Sequence, residues 1–176
     1  MCLAFAHSGP IAKRNSGGPM SLNDLLWLAT AAYGVHILEE YQLNWRDWAR
    51  AVIGLPVEWS DFYVVNALVI VFGIVAANLA THCPGIALAF PALMLINVTF
   101  FHLLPFARTA GRFSPGLVTA VVLFYPIGIA CYWRASHGGT LRTRALIGSL
   151  VLGALLIASP IVLLKIKNLR YFRQDR

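Results

Sequence analysis

His36 is followed by Glu39 and Glu40, at i+3 and i+4. On a helix these offsets place an imidazole and two carboxylates along one face. That is the donor set of a metal half-site or of an acid/base pair. Neutral imidazole and carboxylate both ligate zinc, iron and manganese. Helical carboxylate–histidine pairs three residues apart build metal sites inside bundles. Those pairs run Glu-x-x-His and this one runs His-x-x-Glu, so the likeness is geometric. The competing reading is a helix end at a membrane interface, with both carboxylates in water and His36 capping a carbonyl. Spacing by itself leaves the two open.

Further along, His102 is a candidate second histidine ligand; its alternative is an interfacial histidine shortly before Pro105. The candidate metal set is therefore His36, Glu39, Glu40 and His102, with His36, Glu39 and Glu40 also the candidate catalytic groups. Asn66 and Asn97 are candidates to bind substrate, although asparagines in apolar helices also serve simply to join neighbours. Asn97 and His102 are five apart, about 140° around an ideal helix. They face one pocket only if the pocket is wide or the helix is distorted. Arg108 and Arg112 have the chemistry to hold a phosphate or carboxylate, or act as topology signals. Tyr125 offers a hydroxyl donor or packs between helices.

The elements that carry these residues belong in a bilayer. Of 176 residues 59% are hydrophobic and only 12% charged, with a mean hydropathy of +0.69. An ordinary soluble domain has about 25% charged residues. The expected fold is all-α: an integral membrane helical bundle of about five transmembrane helices, near 22–40, 59–80, 86–106, 117–133 and 145–164. A short interfacial amphipathic helix lies between the first two, with Trp45, Trp48 and Val52 on one stripe. Residues 1–20 read as an extension or disordered segment, 21–165 as a single transmembrane domain and 166–176 as a basic tail. Ionisable groups at membrane depth are functional candidates by default.

The net charge of +7 would suggest nucleic acid in a soluble protein. Here the basic residues sit between and after apolar runs, where they set orientation and meet anionic lipid, so no nucleic-acid partner is expected. Five spans put the chain ends on opposite sides. Arg46, Arg50, Arg108, Arg112 and the five basic residues from Lys165 onward share one side, against Lys13, Arg14, Arg134, Arg142 and Arg144 on the other. That excess points to a cytoplasmic C-terminus. The end of span one, the end of span three and the starts of spans two and four meet at one end of the bundle. His36, Glu39, Glu40, Glu58, Asp61, Asn66 and His102 therefore converge there. Cys2, Cys83 and Cys131 show no CxxC spacing, and no phosphate loop, nucleophile elbow, His-Glu-x-x-His helix or arginine ladder occurs.

The stretch His36-Ile37-Leu38-Glu39-Glu40 resembles the signature of the HXXEE family, small bacterial membrane proteins of several spans. Asn97 to His102 resembles the family's second polar cluster. Arg112 to Thr119, with Pro115 and Gly116, resembles its Pro-Gly-x-x-Thr stretch, and Tyr125-Pro126 its later proline. The resemblance covers about residues 22–135. It implies a site at His36, Glu39, Glu40 and His102 in a bacterial inner membrane; it implies no reaction, the family being largely of unknown function.

Three functions are expected in turn. The first is a membrane-embedded, metal-dependent enzyme with zinc, iron or manganese as the divalent metal, acting on an apolar or amphipathic (lipid- or isoprenoid-like) small molecule near the cytoplasmic face. The second is a metal-free acid/base enzyme, like an isoprenoid cyclase in size and layout. The third is a small transporter or accessory subunit that uses the same His/Glu cluster as an ion or proton site. The lipid bilayer is the expected partner, with a homo-oligomer left open.

Overall fold

A computed structural model describes residues 20–166. The expected N-terminal extension, Met20 apart, and the tail beyond Ile166 lie outside the described residues. The first long helix, α1, runs Leu22–Gln42. Ser21 starts it with a capping box: its hydroxyl accepts from the Asp24 amide at 3.1 Å and the Asp24 carboxylate accepts from the Ser21 amide at 3.2 Å. Two otherwise orphaned amides are satisfied in this way. After a turn at Asn44, which has a φ of +59°, the short helix α2 covers Trp45–Val52. Helix α3 covers Trp59–Leu79 and opens on a second capping box, between Glu58 and Asp61. Helix α4 spans Pro84–Arg108, α5 spans Leu117–His137 and α6 spans Thr143–Ile166. No strand occurs among the described residues.

Among the described residues four helices are long and apolar enough to cross a membrane: α3, α4, α5 and α6. Helix α1 is not among them, because Asn23, Asp24, His36, Glu39 and Glu40 dilute its apolar character. It packs against α2, α3, α4 and α5 and still turns Trp27, Val35 and Leu38 outward. The outer surface is apolar on the other helices too: Val64 and Leu68 of α3, Val122 and Ile129 of α5, and Leu155 and Val162 of α6 are all exposed. Large exposed apolar faces suit contact with lipid. Helices whose backbone groups bond within the segment are what a bilayer admits. The chain is thus a helical membrane protein.

Lipid tails are as apolar as leucine, so helices in a bilayer associate through close packing. Gly153 of α6 lies where a Cβ would meet Ala92 Cβ at 2.7 Å and the Leu93 nitrogen at 2.9 Å. The α4–α6 seam therefore closes backbone to side chain. Helix α2 is held differently. Trp48 and Ala49 are buried with Val57 and Leu164 in a small apolar cluster. Arg50 pairs with Glu58 at 2.6 Å, and Arg46 pairs with Asp47 at 2.7 Å while lying over the Trp59 ring. The Asn44 amide and the Arg46 guanidinium beside Asp47 hold its carboxyl below the usual carboxylate range.

Two helices depart from α geometry. Val98–Leu103 of α4 and Ala120–Phe124 of α5 are π-helical. A proline follows each segment two residues beyond its end, Pro105 and Pro126. Pro105 has no N–H to give the Phe101 carbonyl, and its ring crowds that oxygen; the wider turn accommodates both. A π turn bonds i to i+5, which sets Asn97 and His102 one turn apart. The ideal-helix separation of about 140° therefore does not apply here.

Replacement of Gly153 by valine drives two methyl groups into the α4 backbone. Overpacking of this kind typically costs about 1–3 kcal/mol. Thermal unfolding in detergent should show a lowered Tm for Gly153→Val, whereas Gly148→Ala, where a Cβ meets nothing within 4 Å and alanine favours the helix, should not lower it.

Candidate metal centre

His36, Glu40 and His102 meet at the end of the bundle where α1 finishes. His36 and His102 are fully buried and Glu40 is 5% exposed. His36 Nε2 is 3.5 Å from Glu40 Oε1, and His102 Nε2 is 3.6 Å from the same oxygen. One ligand atom from each residue falls within 4.8 Å of the others. The imidazoles meet edge to face, with centroids 4.9 Å apart at 89°. Phe124 and Tyr33 wall the His36 ring.

A hydroxyl meets Nδ1 of each ring. His36 Nδ1 lies 2.9 Å from Thr119 Oγ1. The Thr119 hydroxyl proton goes to the Glu39 carboxylate, with the Gly116 carbonyl at 3.3 Å as its other acceptor. Its oxygen therefore accepts from His36, and Nδ1 carries the hydrogen. His102 Nδ1 lies 3.0 Å from Ser114 Oγ, whose own proton faces the Phe101 carbonyl at 3.5 Å. That carbonyl is the one Pro105 leaves without its helical donor. In the tautomer that gives the Nδ1 hydrogen to the hydroxyl, each Nε2 presents a lone pair, and among the described residues neither Nε2 finds a hydrogen-bond partner.

Three acceptors thus converge with no donor between them. Two imidazole lone pairs and a carboxylate repel one another in a buried setting unless a cation or a proton lies among them. The spacing suits a cation. Two donors each about 2.1 Å from a tetrahedral zinc stand about 3.4 Å apart, close to the 3.5 and 3.6 Å separations of the Nε2 atoms from Glu40. Metal-bound histidines characteristically give their second ring N–H to an oxygen acceptor, which fixes their orientation, and both rings do so here.

Glu39 takes a different part from Glu40. Its Oε1 accepts from the Gly116 and Val118 amides, both at 3.2 Å, and its Oε2 from the Thr119 amide at 2.8 Å and the Thr119 hydroxyl. These amides open α5, where helix amides lack partners and favour a negative charge. Glu39 anchors α1 to α5 and holds His36 through Thr119. It gives no atom to the His36–Glu40–His102 group. Gly116 lies against the cluster with φ at +91°; a Cβ there would meet His36 Cε1 at 2.7 Å, His102 Cε1 at 2.8 Å and Glu40 Cγ at 2.9 Å.

Beside the cluster is a cavity of about 100 Å³ bordered by Glu40, Tyr33, Asn66, Asn97, Trp45 and apolar side chains of α3, α4 and α6. Asn66 is buried and gives its amide to the Phe62 carbonyl at 3.0 Å. Asn97 Oδ1 and Trp45 Nε1 are buried without partners among the described residues. Tyr125 is placed elsewhere. Its hydroxyl bonds Thr99 Oγ1 at 3.0 Å, and Thr99 in turn donates to the Leu95 carbonyl. Arg108 and Arg112 are exposed and do not border the cavity. Ser114, Gly116 and Thr119 are the supporting residues that spacing overlooked; the Pro-Gly-x-x-Thr stretch was their one visible signal.

A family model described as a protein of unknown function with HXXEE motif matches residues 27–131. The chain belongs to the HXXEE family. No curated protein and no solved structure matches it. In this HXXEE protein the matched region holds all three cluster residues together with Glu39, Ser114, Gly116 and Thr119, and leaves out α6, which completes the cavity wall.

Gly116→Ala puts a methyl group into the cluster and forces a left-handed conformation worth about 1–2 kcal/mol. Gly111→Ala has a similar backbone strain at φ +87° but meets only Phe106, at 3.7 Å. Thermal unfolding should show a clearly larger loss of Tm for Gly116→Ala than for Gly111→Ala.

Proposed function

We propose that the protein is a membrane-embedded enzyme that holds one divalent ion on His36 Nε2, His102 Nε2 and Glu40, and that it acts on an apolar or amphipathic small molecule bound in the adjoining cavity. The observation that carries this reading is the convergence of three buried acceptor atoms with no donor between them. Two histidines and one carboxylate suit zinc, and equally iron or manganese in a site with open positions. Such an ion supplies Lewis-acid polarisation of a substrate oxygen or activation of water. Thr119 and Ser114 orient the two imidazoles, and Glu39 holds Thr119. The apolar cavity wall excludes bulk water, and Asn66 and Asn97 offer polar contacts to a substrate. The distribution of Lys and Arg supports a cytoplasmic C-terminus, and with it a site near the cytoplasmic face of a bacterial inner membrane.

Elemental analysis of detergent-purified protein, prepared without chelator, tests the reading. About one zinc, iron or manganese per chain is expected in the wild type, and loss of it in His36→Ala and in His102→Ala. Thr119→Val should keep the fold and weaken metal affinity about 10–100-fold, the usual effect of removing an orienting partner. A folded wild type with no bound metal would overturn the metal assignment. It would leave a proton between Glu40 and the imidazoles, and so the acid/base reading.

A further inference from the structure

The cavity beside Glu40 does not end at the bundle's surface. A groove of about 600 Å³ lies outside it, walled by Val64 of α3 and Leu163 of α6. Asp61, Val65, Pro160 and Leu164 border both spaces. Among the described residues, α3 and α6 each pack on α4 and share no extended packing with one another. Pro160 interrupts α6 at this seam. It has no N–H for the Leu156 carbonyl, and the Ser159 hydroxyl takes that carbonyl at 2.8 Å. The groove faces outward through exposed apolar side chains, Val64 at 61% and Leu163 at 58%.

The inner space is small. A cavity of about 150 Å³ holds benzene, so about 100 Å³ takes a polar head and its first few carbons. A longer apolar tail has to lie in the groove. The polar atoms inside define the head. Asn97 Oδ1 is an unpartnered acceptor and Trp45 Nε1 an unpartnered donor. A hydroxyl gives one hydrogen and accepts another, and so can satisfy both kinds. An anionic head is disfavoured: Glu40 and Asp61 border the cavity, and among the described residues no Lys or Arg does. The nearby guanidinium groups of Arg46 and Arg50 are engaged by Asp47 and Glu58.

Building on the enzyme reading above, we propose that the substrate is a single-chain long alcohol, fatty or prenyl, which enters from the bilayer between α3 and α6. Its hydroxyl lies inward toward Asn97 and Glu40, and its tail lies in the groove between Val64 and Leu163.

Photo-crosslinking in liposomes tests this, with hexadecanol carrying a diazirine within its first few carbons as the probe and the matching fatty acid at pH 8 as the comparison. The alcohol should label the segment around Leu93, which is buried and borders the inner cavity. It should exceed the acid there by about fivefold or more, since like charge disfavours the carboxylate. Val65→Trp, which plugs the passage, should remove that labelling and leave metal content unchanged. His36→Ala should lose metal and still label. Labelling confined to outward faces such as Ile129 would overturn the route. Acid labelling equal to or above that of the alcohol would overturn the neutral head. Absent labelling with metal retained counts against this inference alone; labelling retained with no metal in the wild type counts against the metal alone.

Discussion

Glu39 accepts hydrogen bonds from three backbone amides at the start of α5 and from the Thr119 hydroxyl. This one carboxylate does two jobs that are hard to separate. It satisfies amides that a helix N-terminus leaves without partners, which in an apolar setting would cost free energy if left bare. It also sets the direction of the Thr119 hydroxyl and, through it, the tautomer of His36. The geometry of the cluster is therefore tied to the docking of α1 against α5. The charge of Glu39 is matched by the partial positive charge of the helix end, so its partial burial needs no lysine or arginine beside it.

Around that anchor the two halves of the cluster are built alike. Each histidine is held at Nδ1 by a hydroxyl from the segment that begins α5, Thr119 for His36 and Ser114 for His102. The turn through Pro115 and Gly116 brings these hydroxyls down on either side of the rings. Gly116 lets the chain pass within contact distance of all three cluster residues. Helix α1 supplies His36 and Glu40, and α4 supplies His102. A third segment fixes how they face.

Much of this arrangement was legible in the sequence. Apolar periodicity and the turn residues placed the helices, and the short stripe of Trp45, Trp48 and Val52 marked α2. The expectation that the ends of spans one and three share one side follows from the alternation of helices. What spacing could not reach was the separation of Glu39 from Glu40. Offsets of three and four both lie on the face of His36, and only the position of α5 decides which carboxylate meets its amides. The π-helical turns were equally hidden, because periodicity assumes an ideal helix; Pro105 and Pro126 were the only local marks. Ser114 and Thr119 look like ordinary turn and helix residues until His102 and His36 are set beside them.

A π-helical turn is an α-helix that has taken in an extra residue without a matching gain in length. The segment at Val98–Leu103 is therefore a place where the helix can hold or lose one residue without turning its two ends relative to one another. Phe100 is exposed to the bilayer, and many apolar side chains would serve in its place as sequences drift. Deleting one residue between 98 and 101 would close the wider turn to an ordinary one and leave His102 facing Glu40. The same deletion in the regular α-helix before it would instead swing His102 by about 100°, with every ligand still present in the sequence. A gap of one position before this stretch would mark a relative that has lost the cluster more surely than a gap within it.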